Sequence, residues 1–376
     1  MYHKRLIIHA IFSGIMLALP FYEHFSGLIL GIALVPLLMA EEFLLLNVPE
    51  KSNRLVFLYA SLSFLTWNTG ATWWIVNASL AGACAAILIN TFLMAVVFSL
   101  YHITRKIAGN MFGVIAFVCY WTAFEYFYLN TEISWPWLNL GNGFAHNIKL
   151  IQWYEFTGTL GGTAWVLILN LLLFDLIRRV QNRNKFRSLS VPLAMTVLIL
   201  VIPMIISLAR YDAYKEKNDP VNVLVIQPDI NPYDNSIRAV QLCTNLIHLA
   251  DSAAKTSFSY FVAPEVAIDD NVWENAMNDN YSIPVIRNFI HRYPASRFVL
   301  GSYTYKKYNE QEPITATAQW MKSPGFYFDS YNTALQIDTG KQIQKYHKSK
   351  LVVGVEKMPY PKALKFLKKI MEGLGG

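Results

Sequence analysis

Long apolar segments separated by short polar ones dominate the first 210 residues of the chain. Most of these segments are close to the roughly 20 residues that an α-helix needs to cross a bilayer. They are Arg5–Phe21, Phe25–Leu46, Arg54–Val76, Leu80–Thr104, Met111–Leu129, Leu160–Ile177 and Leu189–Ala209. Lys4-Arg5 precede the first segment as in a signal peptide, but no small-residue cleavage site follows it. The pattern therefore predicts a retained first helix and a bundle of seven spans.

The pattern changes after Arg210, where the polar linker Tyr211–Pro220 precedes shorter apolar runs. Some of these runs are rich in β-branched and aromatic residues, which favours strands, and others have the spacing of amphipathic helices. The predicted strands are Val221–Ile226, the run from Phe261 into Glu265, Arg297–Tyr305 and Tyr331–Asp338; the predicted helices are Ile237–Lys255 and Ile283–His291. We expect a transmembrane helical domain over 1–210, a linker over 211–220 and a layered α/β domain over 221–376.

Composition agrees with a membrane protein. The 376 residues are 54% hydrophobic and only 15% charged, beyond the usage of ordinary globular domains. The net charge of +7 would suit a nucleic-acid-binding protein, but the basic residues fall in alternate loops. Before residue 210 every loop lysine and arginine except Lys149 belongs to one set: Lys4, Arg5, Lys51, Arg54, Arg105, Lys106, Arg178, Arg179, Arg183, Lys185 and Arg187. This distribution predicts a cytoplasmic amino terminus, a second domain outside the cytoplasm and no nucleic-acid partner.

Neither a cofactor nor a metal is predicted. The three cysteines, Cys84, Cys119 and Cys243, have no spacing of a metal site or a disulfide framework. The glycines Gly158, Gly161 and Gly162 resemble no phosphate-binding motif, and close helix packing is the simpler explanation for them.

Candidate chemistry lies in the second domain. Glu265 follows an apolar run at the point where a strand ends, and the stretch Lys345–Pro359, reading KYHKSKLVVGVEKMP, concentrates ionisable groups. A glutamate and a lysine at two strand ends are suited to acid–base chemistry. Lysines are most often solvated, so composition alone does not single out one of them, and His347 is interpreted as a surface residue without a partner.

Two features of the first domain leave alternatives open. The loop Asn130–Thr159, with Trp135-Pro136-Trp137, is longer and more aromatic than a simple connection, which favours a functional loop at the bilayer surface. Glu125 lies near the end of the fifth predicted span, where an intramembrane carboxylate is either functional or simply reaches the interface.

Several motifs together resemble those of a known family. They are Pro264-Glu265-Val266-Ala267, then Tyr346-His347-Lys348-Ser349-Lys350-Leu351-Val352, then Glu356-Lys357-Met358-Pro359. This order resembles nitrilase-type carbon–nitrogen hydrolases. Preceded by seven spans and Pro136-Trp137-Leu138 with Gly141, the chain resembles the apolipoprotein N-acyltransferases, which carry such a domain on a membrane bundle.

The resemblance implies a fold, a site and a location. The fold is a membrane helical bundle of seven spans followed by an incomplete nitrilase-like α-β-β-α sandwich, in a monomer of the bacterial inner membrane with the sandwich in the periplasm. Glu265 is the implied general base, Lys348 stabilises the oxyanion and Glu356 supports the site. A phospholipid is the implied acyl donor, through a thioester enzyme, and a diacylated apolipoprotein is the acceptor.

The sequence departs from this family at the nucleophile. The family's cysteine, in a Cys-Tyr-Glu context on a later strand, has no counterpart before Gly376, and Cys243 precedes Glu265 in a predicted helix. We therefore expect a truncated chain that is inactive alone. Two other functions remain open, a membrane-tethered amidase or nitrilase and a non-enzymatic membrane protein with a degenerate domain. The final segment, Pro361–Met371, has the pattern of a basic amphipathic helix, either at the membrane or packed on the domain.

Overall fold

The structure is a computed structural model that describes residues 2–182, 186–230, 239–315, 317–353, 356 and 360. It separates into two compact units. One comprises Met1–Lys215 with the described residues from Val352 onward, and the other comprises Glu216–Leu351. The predicted helix Pro361–Met371, the basic residues Arg183 and Lys185 and the predicted motif residues Lys357–Pro359 lie outside the described residues.

The first unit is helical. Its α-helices are α1 (Tyr2–Ala18), α2 (Leu30–Ala33), α3 (Val35–Asn47), α4 (Ser52–Thr72), α5 (Leu80–Ala108), α6 (Asn110–Asn130), α7 (Tyr154–Gln181) and α8 (Phe186–Ala213). Short 3-10 turns extend some of them, and α7 is interrupted at Gly158, whose φ is +65°. Six helical segments of the described chain are long and apolar enough to cross a membrane: Tyr2–Phe21, Gly27–Asn47, Leu80–Ala108, Asn110–Asn130, Tyr154–Gln181 and Ser188–Ala213.

The third predicted span has a different character. The segment Arg54–Val76 does form a helix, α4, of 21 residues. Its length suffices for a crossing, but polar side chains such as Ser63, Asn68 and Thr72 lower its hydropathy, and it is not among the six apolar helices. A membrane helical region is therefore present, whereas seven spans remain a prediction.

Large aromatic side chains form part of the interior of the first unit, together with many leucines. Phe64, Trp67, Phe98, Phe117 and Trp121 are fully buried and contact one another edge to face or tilted. The apolar residues of α8 point outward instead, and many of them are exposed. An apolar exterior of this extent is stable only against lipid or another protein.

The second unit is a mixed sheet with helices on one face. Its strands are β1 (Val223–Val225), β2 (Tyr260–Val262), β3 (Ile268–Trp273), β4 (Arg297–Lys307), β5 (Gln319–Met321), β6 (Phe326–Ile337) and β7 (Gln344–His347), and its helices are α9 (Ala239–Ala253) and α10 (Ser282–His291). β1, β2 and β4 are parallel, and β6 is antiparallel to β4. β2 and β3 pair with the same edge of β4, one after the other along its length. β7 and β5 pair with the edge of β6 that faces away from β4.

The two faces of this sheet differ. One face buries Phe261, Phe298 and Leu335 against α9 and α10, which contribute Leu246 and Ile286 among others. The alternate residues of the strands point to the other face. There Tyr303, Tyr346 and Val225 are 37%, 66% and 72% exposed. The predicted strands and helices are present, whereas β3, β5 and β7 were not predicted, because charged or polar residues interrupt their apolar pattern.

Candidate active site

Glu265 lies in the short connection between β2 and β3, and the backbone of this connection is hydrogen-bonded to β4 along its length. Ala263 N–H donates to Val299 O at 2.8 Å, Gly301 N–H donates to Pro264 O at 3.0 Å, and Ala267 N–H donates to Gly301 O at 2.8 Å. The backbone of Val266 takes a positive φ of 51° to complete the turn. These bonds fix the backbone position from which the Glu265 side chain projects.

Gly301 on β4 makes this close approach possible. A Cβ atom at that position would lie 2.7 Å from both Glu265 Cα and Val266 N, closer than non-bonded backbone atoms approach. Any side chain there would push the Glu265 turn away from the sheet. Gly301 is therefore the residue that allows β4 to hold the turn.

Lys348 reaches Glu265 from the neighbouring strand segment. Lys348 follows β7, and its N–H donates to Asn332 O on β6 at 2.8 Å. Its Nζ donates to Glu265 Oε1 at 2.9 Å. The two side chains are 30% and 58% exposed, so both are accessible from solvent. Glu265 and Lys348, which both belong to the sequence motifs and lie 83 positions apart in the chain, are thus in direct contact.

Asn332 is a third member of this cluster. Its Nδ2 donates to the same Glu265 oxygen, Oε1, at 2.5 Å. A carboxylate that accepts from an amide and an ammonium is held in one orientation. Local sequence pattern does not single out Asn332, because it is one of several polar residues on β6, and its place beside Glu265 depends on the pairing of β6 with β4.

A second, buried carboxylate lies on the opposite face of the same strands. Glu274, directly after β3, has only 4% of its side chain exposed. It accepts hydrogen bonds from Lys345, from His347 Nε2 at 2.6 Å and from Thr304 Oγ1 at 2.9 Å. Burial acts to raise the pKa of Glu274, but the hydrogen bonds from Lys345, His347 and Thr304 outweigh it, so that the pKa lies below its usual range.

The interpretation of His347 as a surface residue without a partner is wrong. Besides its bond to Glu274, its ring stacks on Tyr331, with 3.9 Å between centroids and 8° between the planes. Successive residues of a strand point to opposite faces, so His347 and Lys348 serve two separate clusters. Glu274 itself carried no signal in the sequence, because its contact with Lys345 and His347 depends on how β3 and β7 flank β4 and β6.

The remaining predicted site residue, Glu356, belongs to the first unit. Its N–H donates to Val352 O at 2.9 Å, and its Oε2 accepts from Val352 N–H at 2.7 Å, which closes a single turn of chain. Its supporting role at the site stays a prediction.

The three cysteines occupy helices. Cys243 is fully buried on α9, with its Sγ 3.8 Å from Ser282 O, and burial raises the pKa of its thiol above the usual value. A buried thiol of raised pKa is a poor nucleophile. Cys84 and Cys119 are exposed on the apolar helices α5 and α6. Each placement agrees with a packing or lipid-facing cysteine.

In the first unit, Glu125 on α6 forms hydrogen bonds that hold the loop Asn130–Thr159 in place. It is 2% exposed and accepts from Trp121 Nε1 at 3.0 Å, from Leu140 N–H at 2.9 Å and from Thr163 Oγ1 at 2.5 Å. The alternative that it merely reaches the membrane interface is therefore wrong. Its three donors come from α6, the loop and α7, so that this carboxylate connects all three segments.

Known proteins resemble the chain over both units. Residues 13–172 match the family model of the apolipoprotein N-acyltransferase N-terminal domain. An apolipoprotein N-acyltransferase of Chlorobaculum tepidum is 23% identical over 397 aligned residues, which cover 96% of this chain and 69% of that protein. The chain is thus similar to apolipoprotein N-acyltransferases over most of its length. The family resemblance supports an acyltransferase enzyme.

Two further apolipoprotein N-acyltransferases match shorter parts. The protein of Geobacter metallireducens is 26% identical over 239 residues, covering 61% of this chain and 44% of its own length. The protein of Rickettsia prowazekii is 23% identical over 270 residues, covering 71% of this chain and 48% of its own length. The chain thus matches about two thirds of the first relative and less than half of the other two.

Proposed function

We propose that this chain supplies the membrane bundle and most of the acid–base site of an enzyme that N-acylates lipoproteins. The observation that carries the proposal is the contact of Lys348 Nζ with Glu265 Oε1 at 2.9 Å, in a chain whose two units both fall within the match to an apolipoprotein N-acyltransferase. The proposed donor is a phospholipid, and the proposed acceptor is the terminal amine of a diacylglyceryl-cysteine.

The residues take distinct roles in this proposal. Glu265 removes the proton from a cysteine thiol, and the thiolate attacks the acyl carbonyl of the phospholipid. The Lys348 ammonium stabilises the negative charge on the tetrahedral oxygen, and the lysophospholipid leaves with a proton to give a thioester. The lipoprotein amine then attacks the thioester, forming an amide and releasing the thiol. Asn332 orients Glu265.

The thiol of this proposal is not one of the three cysteines. Cys243 is buried among the helices of the second unit, and Cys84 and Cys119 lie on helices of the membrane region. We infer that the 376-residue chain alone transfers no acyl group.

The proposed architecture extends the observed one. In the proposal, α4 makes a seventh crossing and the sheet unit lies in the periplasm of the bacterial inner membrane, and the distribution of basic residues among the loops supports this orientation. The exposed sheet face with Tyr303 and Tyr346 supports a nitrilase-like sandwich, in which a second layer packs on that face. A single cysteine introduced at Asp212, with Cys84 and Cys119 replaced by serine and the buried Cys243 by alanine, should react with a membrane-impermeant reagent from outside. Reaction from the cytoplasmic side only would contradict the seventh crossing.

Transfer of labelled palmitate from phospholipid to a diacylated cysteine lipopeptide tests the function. We would compare the 376-residue chain with an extended form, in which the same chain is joined to the part of the Chlorobaculum tepidum relative that lies outside the match. The proposal predicts no transfer by the first and transfer by the second. If the extended form folds and hydrolyses soluble amides without transferring palmitate, the amidase alternative is correct; transfer by the short chain would contradict its inactivity.

A further inference from the structure

A cavity of about 670 Å³ opens in the first unit where three helices end. It lies between the start of α1, the end of α3 and the end of α7. Its apolar wall includes Leu6, Phe43 and Phe174, and its polar wall includes Arg5 and Arg178. The volume is within the range of sites that hold small molecules. The two kinds of wall suit an amphiphile with a charged head.

The cavity is at the basic end of the helices. Arg5 is in the first turns of α1, Arg178 is in the last turn of α7, and Arg105 is in the last turn of α5. Since these helices are long enough to cross a bilayer, their ends lie near the lipid head groups. Tyr2, which also lines the cavity, is 38% exposed and is the type of residue found at that depth.

The carboxylates near the cavity are already engaged. Arg178 pairs with Asp175 at 2.6 Å and lies 3.8 Å from Glu42, and Glu42 accepts from Arg105 Nη2 at 2.9 Å. Arg105 also pairs with the fully buried Glu41. This network neutralises Arg178 and leaves the cavity with one guanidinium more than it has carboxylates.

Arg5 is the cation in excess. Its side chain is exposed, and within the described part of the chain no carboxylate lies within ion-pair distance of it. One turn further along α1, His9 also lines the cavity, with its Nδ1 2.8 Å from Arg5 O. An arginine beside an apolar wall at a membrane surface is a favourable partner for a phosphate.

We propose that this cavity binds the head group of an anionic membrane phospholipid. Arg5 pairs with the phosphate, and the acyl chains follow the apolar residues Leu6, Phe43 and Leu46 towards the bilayer. Basic pockets between membrane helices commonly recognise anionic lipids in this way. The site is separate from Glu265 and Lys348 and requires no acyl transfer, so it stands whether or not the proposed function holds.

Lipid titration of the purified 376-residue chain, followed by native mass spectrometry in detergent, tests this proposal. Phosphatidylglycerol should bind more tightly than phosphatidylcholine, and Arg5→Gln should weaken phosphatidylglycerol binding about fivefold, the effect of one basic residue at a lipid surface. Gln181→Glu, which adds a carboxylate at an exposed lining position, should also weaken it. The matched control is Arg54→Gln, because Arg54 is an exposed arginine that does not line the cavity; its binding should equal that of the unaltered chain.

Three results would overturn the assignment. The first is equal binding of the two lipids by the unaltered chain. The second is an effect of Arg54→Gln as large as that of Arg5→Gln, which would show only general attraction to the basic surface. The third is displacement of the lipid by an equal concentration of inorganic phosphate, which would identify a site for free anions. Because Gln181→Glu alters a different helix, it tests the site even if Arg5→Gln does not fold.

Discussion

Two glutamates of the second unit pair with two lysines from one short segment, and their surroundings differ. Glu265 is 58% exposed and meets Lys348, whereas Glu274 is 4% exposed and meets Lys345 and His347. The same residue types therefore form an accessible pair on one face of the sheet and a buried network on the other. A carboxylate can act on a substrate only where the substrate can reach it, so chemistry is assigned to Glu265 and stability to Glu274.

The first unit repeats the buried arrangement. Glu41 is 1% exposed and accepts from His102 Nδ1 at 2.6 Å and from Arg105, while His102 Nε2 lies 3.0 Å from Ser52 Oγ. Glu125 is likewise enclosed by three donors. Buried charges persist in proteins when hydrogen bonds satisfy them. These buried carboxylates hold helices and loops of the first unit together, as Glu274 holds strands of the second unit together.

The largest expected effect is that of Glu265→Gln on acyl transfer by the extended, thiol-containing form. Glutamine keeps the shape of the side chain but cannot take a proton, so the rate should fall by about 10²–10⁴. Palmitate transfer measures this, and unfolding should be unchanged because the residue is exposed. Transfer at the original rate would remove Glu265 from the site.

Replacing Lys348 by methionine should have the next largest effect. The variant keeps the length of the side chain but loses the charge that faces the tetrahedral oxygen, and the rate should fall by about 10²–10³. Lys350→Met is the matched control, since Lys350 is a neighbouring exposed lysine. If Lys348→Met changes only the apparent affinity for phospholipid, Lys348 binds the donor and does not stabilise the oxyanion.

Glu274→Gln should reduce stability by about 2 kcal/mol, because it removes the charge that Lys345 and His347 bond and leaves the buried Thr304 hydroxyl poorly satisfied. The loss of stability would be measured by urea unfolding of the full chain in detergent, with hydrogen exchange of the β7 amides as the readout. Glu265→Gln is the control in this case and should shift stability by less than about 0.5 kcal/mol. Equal losses in the two variants would remove the distinction between the two glutamates.

The smallest effect is the pH dependence of the difference in stability between the unaltered chain and Glu274→Gln. The pKa of Glu274 is lower in the folded protein than in the unfolded chain, so its ionised form stabilises the fold. This contribution is complete above the usual carboxyl pKa of about 4.3 and is lost as the pH falls through the lower, folded value. The stability gap between the unaltered chain and Glu274→Gln should therefore shrink as the pH falls below about 4. A gap that widens over that acid range would contradict the assignment.

The sequence predicted the elements that have strong periodicity. Long apolar helices and strands such as Arg297–Tyr305 follow from local pattern, and the placement of Glu265 at a strand end follows from the run before it. Other features depend on pairing between distant segments. β7 is four residues long, with Gln344, Lys345 and His347 among its residues, and its pairing with β6 brings Lys348 to Glu265.

Burial was the other property that local pattern did not reveal. His347 looks like a surface residue in sequence, and for Glu125 the sequence leaves a functional and an interfacial explanation open. Each is held by partners from elements far apart in the chain, and only the folded structure brings those partners together. Asn332 is the clearest case, since its contact with Glu265 joins residues 67 positions apart.

The central claim is that the exposed pair performs chemistry while the buried network provides stability. The most direct measurement is the amount of palmitoyl thioester formed per folded molecule of the extended form, compared among the unaltered chain, Glu265→Gln and Glu274→Gln. The account predicts no thioester in Glu265→Gln and a normal amount in Glu274→Gln after correction for the folded fraction. A normal amount in Glu265→Gln, or its loss from fully folded Glu274→Gln, would contradict the claim.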